Sequence, residues 1–256
     1  MKMIILLSND DGIEANGLRV LGRALAEIAD VYVAAPTEEK SGSGHGITMR
    51  RPLYARQAEL SFAAAAWAVE GLPADCVKLA MEELLPQKPD IVVSGINNGP
   101  NLGNDIIYSG TVAAAREGFL YGLPALAVSV TERPGNVAYA AEFARDRVFS
   151  WYNNGFKPRS LLNINVPGLK KESVKGWRYT DMGWLWYEDV FTCAYDEKGC
   201  PYYSMGGRPL ESDSHNNSDV NTCAAGYISI TPLCADMTDY SMLEQFRKEG
   251  SKDIIP

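Results

Sequence analysis

The chain is short of positive charge, of histidine and of long apolar runs. Its 256 residues carry 24 Lys and Arg against 32 Asp and Glu, a formal net charge of −8. A groove for nucleic acid needs clustered cations to neutralise phosphates, so a general nucleic-acid-binding face is excluded. There are two histidines, and five cysteines at 76, 193, 200, 223 and 234 with no CxxC pair, which is poor material for a Cys/His zinc site. The odd count reads as reduced, partly buried thiols, although Cys193 and Cys200 are spaced to bridge a hairpin. No run approaches the roughly 20 apolar residues of a spanning helix. Met3–Leu7 is too short for a signal segment, so a cytoplasmic protein with no membrane association is expected. No GxGxxG follows this first apolar run, which argues against a dinucleotide oxidoreductase.

What is present is an ordinary globular composition, 46% hydrophobic and 22% charged, long enough for a sizeable core. Apolar runs at Met3–Leu7 and Val31–Ala35 flank Leu18, Leu21, Leu25 and Ile28 at helical spacing, a βαβ opening. Further strand-like runs are Ala66–Val69, Ile91–Val93, Ala125–Val130, Leu161–Val166 and Tyr227–Ile230. Helical patterns at Ala74–Leu85, Thr111–Tyr121 and Val137–Trp151 lie between several of them. The alternation predicts a three-layer α/β/α, Rossmann-like sandwich on a mostly parallel sheet. One domain over 1–256 is expected, with its core at 1–180. A hairpin and loop extension follows at 181–225, and a returning strand and C-terminal helix at 226–256. FTCAY and PYYSM around Asp196–Gly199 form the hairpin signal, Leu210–Asn221 reads as loop, and Met242–Lys248 as a short helix. Trp184, Trp186 and Tyr187 read as core or interface. Phe191, Tyr195, Tyr202 and Tyr203 put more aromatic surface on the hairpin than an isolated arm leaves in water, so a homo-oligomer is expected.

Ligands bind at the carboxyl ends of strands in such a sheet, so the segments after each strand carry the chemistry. The first is Ser8-Asn9-Asp10-Asp11-Gly12. One carboxylate suffices to cap a turn or helix, worth about 1 kcal/mol. A second at ~4 Å adds about 1 kcal/mol of repulsion in water and about 4 kcal/mol at an effective dielectric near 20. A hard divalent cation, Mg²⁺ or Mn²⁺, would neutralise both. Ser41, in a Gly- and Ser-rich loop, and Asn97, after the Ile91–Val93 strand, are turn residues when read singly. Together they add a hydroxyl and an amide oxygen to an all-oxygen set. Ser109-Gly110-Thr111 opens an Ala-rich helix whose first N–H groups lack internal partners, a seat for phosphate. Because few cations stand nearby, Gly110 is expected to serve phosphate binding separately from the metal pair. His45 and His215 read as loop histidines.

SNDDG, PTEEKSGSGHGIT, GLPADCV, SGINNGPNLGNDIIYSGTVAAAREG, GLPALAVS, LNINVP and GYISITPL occur in this order. The sequence closely resembles the SurE family of 5′/3′-nucleotidases, strongly to about residue 130 and as islands beyond, with residues 183–222 departing most. The resemblance implies a metal-dependent phosphatase acting on nucleoside 5′-monophosphates, with 3′-monophosphates left open, and with one divalent cation (Mg²⁺ or Mn²⁺) per subunit. It places metal ligands on Asp10, Asp11, Ser41 and Asn97, with Asp10 and Asp11 catalytic. It places phosphate or substrate contacts on Asn97, Asn101, Ser109, Gly110, Thr111 and Gly44. It also implies a homodimer or homotetramer that exchanges carboxyl-terminal segments. A non-catalytic nucleotide-binding module is the alternative that the same loops allow. Aspartyl-phosphate chemistry is not indicated, since Asp10-Asp11 lacks the Asp-x-Asp spacing.

Overall fold

The side-chain alternation along each strand decides which helical layer it meets. A computed structural model of the chain describes residues 2–132, 135–156, 159–210 and 215–249. Residues 211–214 of the expected loop and 250–256 of the expected C-terminal segment lie outside the described residues. The first half of the chain runs β1 (Met3–Ser8), α1 (Asn16–Ala26), β2 (Ala29–Pro36), β3 (Ala55–Gln57), β4 (Ala65–Val69), α2 (Pro73–Leu79), β5 (Ile91–Asn98) and α3 (Gly110–Leu120). It continues through β6 (Ala125–Val130), α4 (Val137–Asn153), β7 (Leu161–Val166), β8 (Trp177–Tyr179), β9 (Tyr187–Tyr195), β10 (Pro201–Pro209), α5 (Asp219–Ala224), β11 (Ile228–Leu233) and α6 (Tyr240–Glu249).

Nine strands form one sheet in the order β3-β4-β2-β1-β5-β6-β7-β11-β8. Pairing is parallel except at β3–β4 and β7–β11. Ile5 and Leu7 of β1, Val33 of β2 and Val93 of β5 pack with Leu18, Leu21 and Leu25 of α1 and Ala144 and Val148 of α4. Leu6, Ala34 and Val92, one residue out of phase, pack instead with Cys76 and Val77 of α2 and Val112, Ala114 and Ala115 of α3. The three layers expected from the sequence are therefore present. Each fully buried leucine contributes about 2 kcal/mol of apolar burial.

The chain steps from β1 outward to β2 and β4, then returns to the other side of β1 as β5. A crevice opens between the carboxyl ends of β1 and β5, at this topological switch point. β1 and β5 pair in register to Ser8 and Ser94, and the β5–β6 register shifts between Ser94 and Asn97.

Several elements differ from the sequence expectation. Helix α5 begins at Asp219, inside the polar stretch read as loop, because the Ser218 side chain caps it by accepting from Asn221 N. The returning strand, whose place the sequence left open, enters the core sheet as β11 between β7 and β8. The helix expected over 74–85 is α-helical to Leu79 and continues as a π-helical turn, Ala80–Leu84. Strands β9 and β10 form the expected hairpin as a separate two-stranded sheet. Trp184, Trp186 and Tyr187 are exposed, which removes the core reading for them. All five cysteines are free, and Cys193 sits opposite Tyr203, not Cys200.

Helix α1 lies close to β5 because residue 17 is glycine: a Cβ there would stand 2.0 Å from the Ile96 carbonyl oxygen. Gly17→Ala should therefore lose the ~1 kcal/mol that alanine usually gains in a helix and add an overpacking cost of about 1–3 kcal/mol. The expected net result is a Tm several degrees lower by calorimetry, at about 2–4 °C per kcal/mol for a chain of this size. A variant as stable as the parent would show that α1 shifts freely off β5.

Candidate active site

Strand β1 ends at Ser8 and Asn9 makes the turn. Asn9 Nδ2 donates to Gly12 O at 2.9 Å and Asn9 Oδ1 accepts from Gly12 N at 3.2 Å. Gly12 has φ +98°, a conformation that a Cβ would strain. This turn leaves Asp10 buried, 3% exposed, and Asp11 half-buried beside it.

Asp10 meets the start of α3. The Thr111 hydroxyl donates to Asp10 Oδ1. A Cβ on Gly110 would stand 2.8 Å from Asp10 Cβ and 3.0 Å from Asp10 Oδ2. Burial pushes the Asp10 carboxyl up from 3.8 to about 6; the Thr111 hydroxyl opposes this and the Asp11 charge adds to it. No Lys or Arg pairs with Asp10 among the described residues. A buried carboxylate with an anionic neighbour and no cationic partner is what a cation site needs.

Asp10, Ser41, Asn97, Asn101 and Ser109 line one cleft of about 440 Å³, together with Asp105 and Tyr108. Asn97 Nδ2 donates to Gly99 O at 2.8 Å, leaving Oδ1 as its ligating group. The Ser41 hydroxyl donates to Glu39 Oε1 at 2.6 Å, which leaves its lone pairs for another partner. The donors are all oxygen, and no group of three or more His, Cys, Asp or Glu that could hold a metal ion occurs among the described residues. Such a set fits a hard divalent cation rather than zinc.

Four of the expected residues do not themselves line the cleft. Asp11, Gly44, Gly110 and Thr111 are not on the cleft wall. Gly44 donates its N–H to Tyr108 O at 2.9 Å and so ties the Ser41 loop to the turn before α3. Thr111 is fully buried with its hydroxyl committed to Asp10. A Cβ on Gly110 would crowd Asp10 and Pro73, so a substitution at 110 reaches Asp10 as well as the helix start that was expected to act separately from it. Ser109 lines the cleft and also caps α3, accepting from Val112 N at 3.0 Å.

The supporting groups were not legible as such. Asn101 is fixed by its N–H to Asn165 Oδ1, 2.9 Å, its Nδ2 to Ser129 Oγ, 2.8 Å, and its carbonyl, which accepts from Asn163 and Asn165. Asn163 and Asn165 share one face of β7 by period-2 alternation in LNINVP, the one readable signal. Asp75 accepts from Thr48 N and Oγ1 and from Leu72 N, anchoring the far end of the Ser41 loop on α2. His45 Nε2 contacts Glu117 Oε2 at 2.9 Å, and Lys78 reaches the other oxygen at 3.3 Å. Burial opposes ionisation of Glu117, but these two contacts outweigh it and hold its carboxyl below the ordinary value. His45 is therefore a loop anchor. His215 lies 3.7 Å from Asp181, away from the cleft.

The model of the family described as "Survival protein SurE" matches residues 5–189. The chain belongs to the SurE family. Among SurE relatives, "5′-nucleotidase SurE" of Syntrophomonas wolfei is 46% identical over 252 residues, covering 98% of this chain and 96% of its own. That of Heliobacterium modesticaldum is 47% identical over 247 residues, covering 95% and 90%. The crystal structure of the SurE protein from Aquifex aeolicus superposes with a TM-score of 0.82 at 35% identity, covering 96% of this chain and 99% of that one. The family model ends inside β9, whereas these SurE relatives extend across the hairpin.

The burial of Asp10 has a consequence for stability. Its folded pKa of about 6 lies above its ordinary value of 3.8, so the folded state binds the proton more tightly. In chelator, this residue's contribution is fully present below pH ~4 and is lost as pH rises through about 6, by about 3 kcal/mol at most. Asp10→Asn removes the titration. Urea unfolding of both proteins from pH 4 to 7 should show the parent losing stability relative to the variant across that window. A pH-independent difference would contradict the buried, unpaired state of Asp10.

Proposed function

We propose that the chain is a divalent-metal-dependent phosphatase that converts nucleoside 5′-monophosphates to nucleoside and inorganic phosphate. The observation that carries this is the convergence of the buried Asp10 carboxylate, the Ser41 and Asn97 oxygens and Ser109 at the α3 N-terminus on one cleft at the switch point. The relatives' names, 5′-nucleotidase, support the same reading.

Phosphate monoesters hydrolyse very slowly, with enhancements up to ~10²¹ needed at the extreme. A single general acid or base supplies only about 10²–10⁴. Asp10, Asp11, Ser41 and Asn97 would hold the cation. When bound, Mg²⁺ or Mn²⁺ supplies Lewis acidity toward the phosphoryl oxygens and lowers the pKa of water. Thr111 orients Asp10 by its hydroxyl. Gly110 lets the first turn of α3 approach without a side chain, and its macrodipole favours the anionic phosphoryl group beside Ser109. One of the two carboxylates takes the proton of the attacking water. Asn101, gripped by Asn163, Asn165 and Ser129, offers a rigid polar contact to the substrate.

No helix among the described residues is long and apolar enough to cross a membrane. The exposed Phe191, Tyr195, Tyr202 and Tyr203 of the hairpin support assembly as a homodimer or homotetramer.

Phosphate release from AMP should require Mn²⁺ or Mg²⁺ and stop with chelator. Asp10→Asn and Asp11→Asn should each lower turnover at least ~10²-fold, while gaining less thermal stability than the parent on adding Mn²⁺. Tight AMP binding with no phosphate released would favour the non-catalytic module instead. Near-native hydrolysis by both variants would end the metal-site reading.

A further inference from the structure

The loop that carries Ser41 is anchored at its ends and loose at its tip. Lys40 N donates to Asp10 O at 2.8 Å before the tip, and Gly44 N donates to Tyr108 O at 2.9 Å after it. Between them Gly42 has φ +70°, and a Cβ there would meet no neighbour within 4 Å. Ser41 is exposed, and its hydroxyl is bonded within the loop, to Glu39. The position of Ser41 over the cleft therefore depends on the anchors at the loop's ends, not on packing at its tip.

The buried anchor is His45 on Glu117 of α3, at 2.9 Å. The Glu117 side chain is 5% exposed, and Lys78 of α2 reaches its other oxygen at 3.3 Å. Burial opposes ionisation of Glu117, yet the His45 and Lys78 contacts outweigh it and hold the carboxyl below its ordinary value. An ionised carboxylate only accepts, so His45 Nε2 is the donor. Withdrawing that donor from a buried carboxylate is costly, so the loop is not free to leave α3. Glu117 lies seven residues after Gly110, two turns along α3 on the same face and about 10 Å away. Helix α3 thus meets Asp10 at its first turn, through Gly110 and Thr111, and the Ser41 loop two turns on.

We propose that His45 and Glu117 are positioning residues for the cation: α3 is a spacer that fixes Ser41 relative to Asp10 and so sets how tightly Mg²⁺ or Mn²⁺ is held. This rests on the metal-site reading of Asp10, Asp11, Ser41 and Asn97. His45 is not on the cleft wall, so it acts through the loop and not by touching the bound ion. Gly42 and Gly44 leave the backbone around Ser41 easy to swing, and the buried His45–Glu117 bond takes that freedom away. A hydrogen bond that orients a metal ligand from behind is typically worth 10–100-fold in metal affinity. The loss falls on affinity and spares turnover, because at saturating concentration the cation itself draws Ser41 into place. Lys78 touches Glu117 but not the loop, so removing it should leave cation affinity nearly intact.

The test is calorimetric titration with Mn²⁺, without substrate, of the parent, His45→Ala, His45→Gln and Lys78→Met, with melting of each in chelator. Glutamine places an amide nitrogen near the position of Nε2 and can donate to Glu117, whereas alanine cannot. The Mn²⁺ Kd should rise at least about tenfold in His45→Ala and stay within about threefold of the parent in His45→Gln and Lys78→Met. In AMP hydrolysis the Mn²⁺ concentration for half activity should shift in step, with kcat at saturating Mn²⁺ within about threefold of the parent. If His45→Ala does not fold, His45→Asn, whose shorter amide does not reach Glu117, takes its place. Affinity unchanged in the shortened variant, with or without a lower Tm in chelator, makes His45 a stability contact and overturns the spacer role. Affinity lost equally in His45→Gln or Lys78→Met overturns it too, and in each of these cases the metal site stands. A parent that binds no Mn²⁺ overturns the metal-site reading and this inference together.

Discussion

The buried carboxylate of Asp10 is the constraint around which the candidate site is arranged. A charge at 3% exposure is costly unless something compensates it. Here the compensation from the chain itself is a threonine hydroxyl, and burial still lifts the carboxyl to about 6. Gly110 is small because Asp10 occupies the space a side chain would take. The Asn9–Gly12 turn exists to bring the carboxylate in at the end of β1. Lys40 N donating to Asp10 O at 2.8 Å then fixes the loop that carries Ser41. The end of β1 and the start of α3 are thus one mechanical unit, joined where Thr111 and Gly110 meet Asp10.

Around that unit the loops are held by a repeated device, a buried polar side chain that collects backbone groups from several elements. Asp75 does so for the Ser41 loop, Asn165 for the Asn101 turn and Asp219 for the segment before the hairpin. Each satisfies main-chain groups that a glycine-rich loop would otherwise leave unpaired. Rigid loops matter because positioning to within a fraction of an ångström is worth orders of magnitude in rate. The hairpin is attached through the same system.

The sequence was most informative where the physics is local. The Leu18, Leu21 and Leu25 spacing, the short β-branched runs and the Ala-rich start of α3 each state their structure within a few residues. Asp10-Asp11-Gly12 pointed to a site, because two adjacent carboxylates repel each other unless a cation neutralises both. The readings that changed were those depending on distant partners. Thr111 belongs to the helix start as expected, yet its hydroxyl turns inward to a residue 101 positions away. Asp219 looked like one polar residue in a polar stretch, but it accepts from Gly103, 116 positions earlier. Trp186 could be core or interface by composition alone, and only the placement of the hairpin left it on the surface.

By itself the amino-acid sequence determined the three-layer class, most strands and helices of the core, and the chemical character of the loops at the strand ends, because side-chain periodicity and turn chemistry are read over ten residues or fewer. Only the tertiary structure decided that β11 enters the sheet between β7 and β8, that a substitution at Gly110 reaches Asp10, and that Glu117 of α3 holds the loop carrying Ser41. Those outcomes depend on which elements the sheet brings together, and contacts across a hundred residues leave no periodic trace in the chain that makes them.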